Sequence, residues 1–112
     1  MILKILTFCV FIFGLSSIAN ASENNFYDKG KKLFDEEEYE ESKFQFERSI
    51  LYNPKHSNSY LYLGKISKIE KNTKEEEKNI NTALLLDPKN EEAMYILINL
   101  ELERSNFQRF KI

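Results

Sequence analysis

A period of 34 residues constrains this chain more than any other feature, and the residues that interrupt regular structure reveal it. Pro54 and Pro88, the only prolines, lie 34 apart, and so do Gly30 and Gly64, the only glycines after the first 21 residues. Each glycine precedes its proline by 24. Superposing the two units pairs Phe26 with Tyr60, Gly30-Lys31 with Gly64-Lys65, Phe46 with Ile80, Ser49 with Ala83, Ile50 with Leu84, and Asn53-Pro54-Lys55 with Asp87-Pro88-Lys89. A fixed period of this length points to a repeat architecture, in which each unit is one supersecondary element and neighbours bury each other's apolar faces.

The apolar spacing within each unit predicts two helices. Phe26, Gly30 and Leu33, then Tyr60, Leu63 and Gly64, recur at intervals of three and four and so share one helical face. Glycine inside a helix costs about 1 kcal/mol relative to alanine, so two at equivalent positions mark a place where a second helix must come close. That second helix carries Tyr39, Ser42, Phe46, Ser49 and Ile50 in unit one, large residues alternating with small ones. Pro54 and Pro88 then stop the second helices. Beyond Pro88, Asn90 is the expected N-cap of a further helix with Glu91 and Glu92 in its first turn, continuing through Ala93, Met94, Leu97, Ile98 and Glu101. Ser105-Asn106-Phe107 reads as the turn before another helix.

On these residues the chain resembles the tetratricopeptide repeat family from Glu23 to Phe110. Unit one supplies Phe26, Gly30, Leu33, Ser42, Phe46, Ser49 and Pro54 to the family pattern, and unit two supplies Tyr60, Leu63, Gly64, Ile80, Ala83 and Pro88. The stretch from Ala83 to Asn90 is close to the family's junction between units. The resemblance implies an all-α, right-handed helical-repeat solenoid of antiparallel helix pairs, with units over 23–56 and 57–90 and a partial unit over 91–112. Three residues depart from the pattern: Lys29 and Ser67 where a large apolar residue is usual, and Glu76 where a small buried one is usual. Residues 73–79 are therefore expected to pack poorly.

Residues 1–21 read as a secretory signal peptide: Lys4 at the start, an apolar run from Ile5 to Leu15, and a small-residue ending at Ala19-Asn20-Ala21. The apolar stretch to Ile18 is 14 residues, about 21 Å as a helix, whereas a membrane span needs roughly 20 residues. Cleavage after Ala21 is the reading, with a retained anchor as the alternative. The expected location is periplasmic or secreted, and contact with a membrane is limited to the leader. Cys9, the only cysteine, lies in the leader, so the exported chain has neither a disulfide nor a thiolate metal site. Phe8 before it is too bulky for lipid attachment.

Composition narrows the chemistry further. The formal net charge is −2, and one unit more negative without Lys4, so there is no basic excess for nucleic acid. The acidic runs Asp35 to Glu38 with Glu40 and Glu41, and Glu75 to Glu77, fall at expected starts of second helices, where the dipole favours negative charge. Thr73 with Glu76 spells a capping box. Neither run places oxygen ligands at alternate positions of a loop, so a metal reading is set aside. His56, the only histidine, follows Pro54 in an expected turn, a poor place for a buried catalytic base. No phosphate loop, His-Glu-x-x-His or Gly-x-Ser-x-Gly sequence is present, so no catalytic residue and no cofactor is assigned.

The family resemblance also implies a function: first helices line a concave groove that receives a protein partner. By spacing, the groove positions are Asn24, Tyr27, Lys31 and Phe34 in unit one, Asn58, Leu61, Lys65 and Lys68 in unit two, and Tyr95, Asn99 and Leu102 beyond. Three lysines among aromatic and amide side chains suit an acidic or carboxylate-bearing peptide, while the plainer reading of the lysines is solubility. The family's carboxylate-clamp subtype is not matched, because Tyr27, Tyr62 and Glu92 stand where it has basic or amide residues. The resulting expectation is an exported adaptor or assembly factor that is not an enzyme. Its rival is a structural subunit that oligomerises through an uncapped C-terminal end at Leu97, Phe107, Phe110 and Ile112. Mass spectrometry of the exported protein should find Ser22 first, whereas an intact Met1 in the membrane fraction would identify an anchor.

Overall fold

The computed structural model describes residues 25–111; the expected signal peptide, the groove position Asn24 and Ile112 lie outside them. Among the described residues the protein is all-helical. The helices are α1 (residues 25–35), α2 (Tyr39–Tyr52), α3 (Ser57–Ile69), α4 (Thr73–Leu86) and α5 (Glu91–Phe110). Consecutive helices pack side by side. Ser57 at the start of α3 donates to the carbonyl of Ala83 near the end of α4, so this pair runs antiparallel. Among the described residues no helix is long and apolar enough to cross a membrane.

The two glycines sit where helices nearly touch. A Cβ added to Gly30 would lie 2.8 Å from Phe46 Cε1, and one added to Gly64 would lie 2.6 Å from Ile80 Cδ1. Phe46 and Ile80 are fully buried. The close approach also lets Ser42 Oγ, itself buried, donate to the Gly30 carbonyl at 2.7 Å. Small residues elsewhere on the seam, Ser49 and Ala83, are buried as their spacing predicts.

The core comes in two clusters displaced by the repeat. Phe46, Leu63 and Ile66 form one, with Tyr27, Ile50 and Tyr62 against it. Leu61, Ile80, Ala83 and Ala93 form the other, with Leu84, Ile96 and Leu97 against it. Adding 34 to Tyr27, Phe46, Ile50, Tyr62 and Leu63 gives Leu61, Ile80, Leu84, Ile96 and Leu97.

The turns repeat as well. Glu37 (φ 63°) and Lys71 (φ 59°) occupy the left-handed region at equivalent positions. Beside them the Glu38 and Asn72 N–H groups donate to the carbonyls of Leu33 and Ser67, each at 2.9 Å, closing the preceding helix end. A non-glycine residue in this conformation costs on the order of 1–2 kcal/mol, so tertiary packing must hold the turn. Between units, Asn53 and Asp87 side chains accept from the N–H groups of Lys55 and Lys89, which satisfies the backbone as the prolines redirect it. His56 and Asn90, again 34 apart, cap α3 and α5 by accepting from Ser59 and Ala93 N–H.

Four expectations need correction. The cap of α4 is Asn72, which accepts from Glu75 N–H, and not Thr73, because Lys71 takes the left-handed turn and the helix starts at Thr73, one residue earlier than the capping box implies. Of the first acidic run, Asp35 ends α1 and Glu36 and Glu37 form the turn, so only Glu38, Glu40 and Glu41 lie at the start of α2. In residues 73–79 the helix is formed from Thr73 and Glu76 is 4% exposed, so the expectation of poor packing fails at Glu76, while Thr73, Lys74 and Lys78 stay exposed beside α5, whose Leu100, Arg104 and Phe107 lie near Thr73. Finally, α5 continues through Ser105-Asn106-Phe107 without a turn, and Leu100 rather than Glu101 faces the core. Ile98 stands where the first two units have glycine, so no returning helix is drawn close enough to offset a left-handed turn.

Gly30→Ala should lower the melting temperature even though alanine is the better helix former by about 1 kcal/mol, because Phe46, stacked on Tyr62, cannot withdraw. Gly64→Leu should cost about 1 to 3 kcal/mol by overpacking against Ile80. Thermal unfolding checks both, and a higher melting temperature for Gly30→Ala would show that the helices are not in close contact.

Candidate functional site

Helix periodicity places Tyr27, Lys31 and Phe34 on one side of α1, and the packing of α1 against α3 brings this stripe to Tyr62 and Lys65. Tyr62 stacks on Phe46 with ring centres 5.0 Å apart and meets the Phe34 ring edge-on at 5.3 Å. The Lys65 ammonium lies 4.8 Å from the centre of the Tyr62 ring and 5.4 Å from that of Phe34, and Lys31 lies 5.7 Å from that of Tyr27. The site is thus a bed of half-buried rings with two ammonium groups over it. Such cation–π contacts hold the lysines near the surface instead of letting them extend into water.

The other expected positions separate into those that join this surface and those that do not. Asn58 borders it, bonding Tyr27 and receiving the Asn90 amide at 3.4 Å. Lys65 also donates to Glu92 at 2.7 Å, so its charge is already partly matched by the protein. Leu61 is 3% exposed and packs with Ile80, Ala83 and Ala93, so it forms core and offers nothing to a ligand. Its helix is covered by both α4 and α5, which buries a position that spacing alone puts on an open face. Lys68 is exposed, and its charge acts on Glu76. Tyr95 and Leu102 are exposed on α5, with Asn99 partly so.

Tyr27 and Phe34 are not free anchors but part of the packing between α1 and α3. Burial, with Tyr62 and Asp28 nearby, pushes the Tyr27 phenol above its ordinary pKa, while the bond to Asn58 opposes the shift. Its ring meets His56 edge-on at 4.6 Å. The His56 Nδ1 lies 2.7 Å from Ser59 Oγ, which donates to Ser49 Oγ, so the histidine is built into the α2–α3 junction. Tyr62 is not among the positions that groove spacing selects; its signal in the sequence is an aromatic between the two core leucines, Leu61 and Leu63, of the same helix. Among the described residues no group of three or more His, Cys, Asp or Glu side chains is arranged to hold a metal ion.

No protein-family model matches this chain, and no curated protein matches it. Its chemistry is therefore read from the surface itself: cations fixed beside aromatic faces, bordered by amides, which together can recognise an anionic group carried on an apolar or aromatic segment.

Glu76 provides a separate handle on stability. Burial raises its carboxyl pKa, Lys68 opposes the rise, and Glu103 on α5 adds to it. A carboxyl group whose pKa is higher folded than unfolded stabilises most when protonated in both states, and that contribution is lost as pH rises through the folded value. Glu76→Gln should therefore raise the melting temperature at neutral pH and flatten its fall between mildly acidic and neutral conditions. Identical melting curves for the two proteins at neutral pH would show that the carboxylate is not desolvated.

Proposed function

We propose that the protein is an exported interaction module of the tetratricopeptide type, an adaptor or assembly factor that holds an acidic or carboxylate-bearing segment of a protein partner against α1, α3 and α5. The observation that carries this reading is the placement of Lys31 and Lys65 over the Tyr27, Phe34 and Tyr62 rings. The 34-residue displacement of the glycine contacts, core clusters, turns and caps supports a repeat of helix pairs, and in the proposed arrangement these pairs stack as a right-handed solenoid with α1, α3 and α5 on its inner side. The leader's three-part layout supports export to a periplasm or the exterior.

The chemistry of the proposed contact follows from what is already in place. The rings are partly desolvated, so an arriving peptide gains apolar contact with little new ordering of side chains. Lys31 has no ion-pair partner among the described residues, whereas Lys65 shares its charge with Glu92. An incoming carboxylate should therefore meet Lys31 first and compete with Glu92 for Lys65. Tyr95, 66% exposed on α5, is available to extend the apolar contact.

A panel of short acidic peptides with free carboxyl termini, titrated beside their amidated and neutral counterparts, tests the reading. Exposed ion pairs contribute about 0 to 1 kcal/mol each, so Lys31→Ala or Lys65→Ala alone should have a small effect, while the two together with Lys68→Ala should weaken binding several-fold and flatten its salt dependence. Tyr95→Ala should weaken binding with little change in salt dependence. Equal affinity for amidated and free-carboxyl peptides, with no response to the lysine changes, would overturn the assignment.

A further inference from the structure

The outer face of α5 carries an apolar stripe that no described residue covers. Met94, Ile98 and Leu102 are 47%, 52% and 55% exposed, and a shallow depression beside them is lined by Leu97, Ile98, Glu101, Leu102 and Ser105. In the two preceding units the equivalent face receives the second helix of the pair. That mode of packing is closed here: Ile98 stands where Gly30 and Gly64 admit Phe46 and Ile80, and a mere Cβ at those glycines would already lie under 3 Å from the incoming side chain. A helix that covers this face must sit farther out and interdigitate with Ile98 and Leu102.

The charges on the stripe say which helix fits. Glu91, Ile98, Leu102, Ser105 and Arg109 follow at intervals of seven, four, three and four, which keeps them in one line along the helix. The line begins with an acid and ends with a base, and neither Glu91 nor Arg109 has an ion-pair partner among the described residues. We propose that α5 pairs antiparallel with α5 of a second copy of this chain, about a two-fold axis at the level of Leu100. In that register Ile98 faces Leu102 of the second copy, and Glu91 faces Arg109 of the second copy at both ends. A parallel pairing would instead set Glu91 beside Glu91 and Arg109 beside Arg109. The contact is isologous, so it closes at two copies. Its length, about 30 Å for 20 residues, makes a small interface and hence a concentration-dependent dimer.

Sedimentation velocity of the full chain over a wide concentration range tests this, with circular dichroism to verify that each variant keeps its helix content. The wild-type protein should convert from monomer to dimer. Ile98→Asp, at a half-exposed position, should raise the dissociation constant about tenfold or more. Glu91→Lys and Arg109→Glu should each raise it about three- to tenfold, and the double variant should restore wild-type association, since each new charge then meets its opposite on the second copy. The exchange of charges leaves the packing untouched, so it remains informative if Ile98→Asp unfolds. A monomer at every concentration would assign the face to some other protein and overturn the proposal. Association that ignores Ile98→Asp, as assembly through the leader would, or a double variant no better than the single ones, would overturn it equally. None of these outcomes depends on whether peptides bind beside Lys31 and Lys65.

Discussion

Everything in this protein depends on how close the two helices of a unit can come. At Gly30 and Gly64 the backbone itself forms the floor on which Phe46 and Ile80 lie, leaving no room for even a single carbon. Once the helices are that close, the remaining seam must be small or must bond to the backbone, and Ser42 does both by donating to the Gly30 carbonyl. The same approach holds the turns. Glu37 and Lys71 have no local reason to enter the left-handed region, and they do so where the returning helix has a glycine to pack on.

What repeats is geometry, and the chemistry on it varies. Lys43 of α2 pairs with Glu70 of α3 at 3.1 Å, and 34 residues later Glu77 of α4 pairs with Arg104 of α5, the same bridge with its charges reversed. Ser42 is matched by Glu76, so a bonded hydroxyl at one seam becomes a desolvated carboxyl at the next. Tyr27 is matched by Leu61, and Tyr62 by Ile96. The junction of α1 with α3 is consequently aromatic, and lysines settle over its rings, whereas at the junction of α3 with α5 the matching Leu61 and Ile96 offer no ring to a cation. The proposed binding surface owes its location to this difference.

Where glycine is missing, the pattern stops. Ile98 turns a seam into an open apolar face, and α5 runs straight for 20 residues in place of folding back. Its extra length runs past the start of α4, near Thr73, and brings Arg104 to Glu77. The pairing of helices thus ends at α5, and its outer face is the stripe offered to a second copy.

The 34-residue spacing of Gly30 with Gly64 and Pro54 with Pro88 was enough to determine that the chain is helical, where its second helices end and which small residues line the seams. These follow from short-range rules: helical periodicity, the lack of a side chain on glycine, and the inability of proline to continue a helix. Only the tertiary structure decided the rest. Leu61 and Lys65 read alike as positions on one face of α3, yet α4 and α5 bury the first and leave the second over the rings of Phe34 and Tyr62. Ser105 reads as a turn residue and Glu37 as part of a helix start, yet Ser105 stays helical because nothing folds back upon it, and Glu37 makes the left-handed turn against the returning α2. Exposure and turn strain depend on which helices arrive from elsewhere in the chain, and no local spacing carries that information.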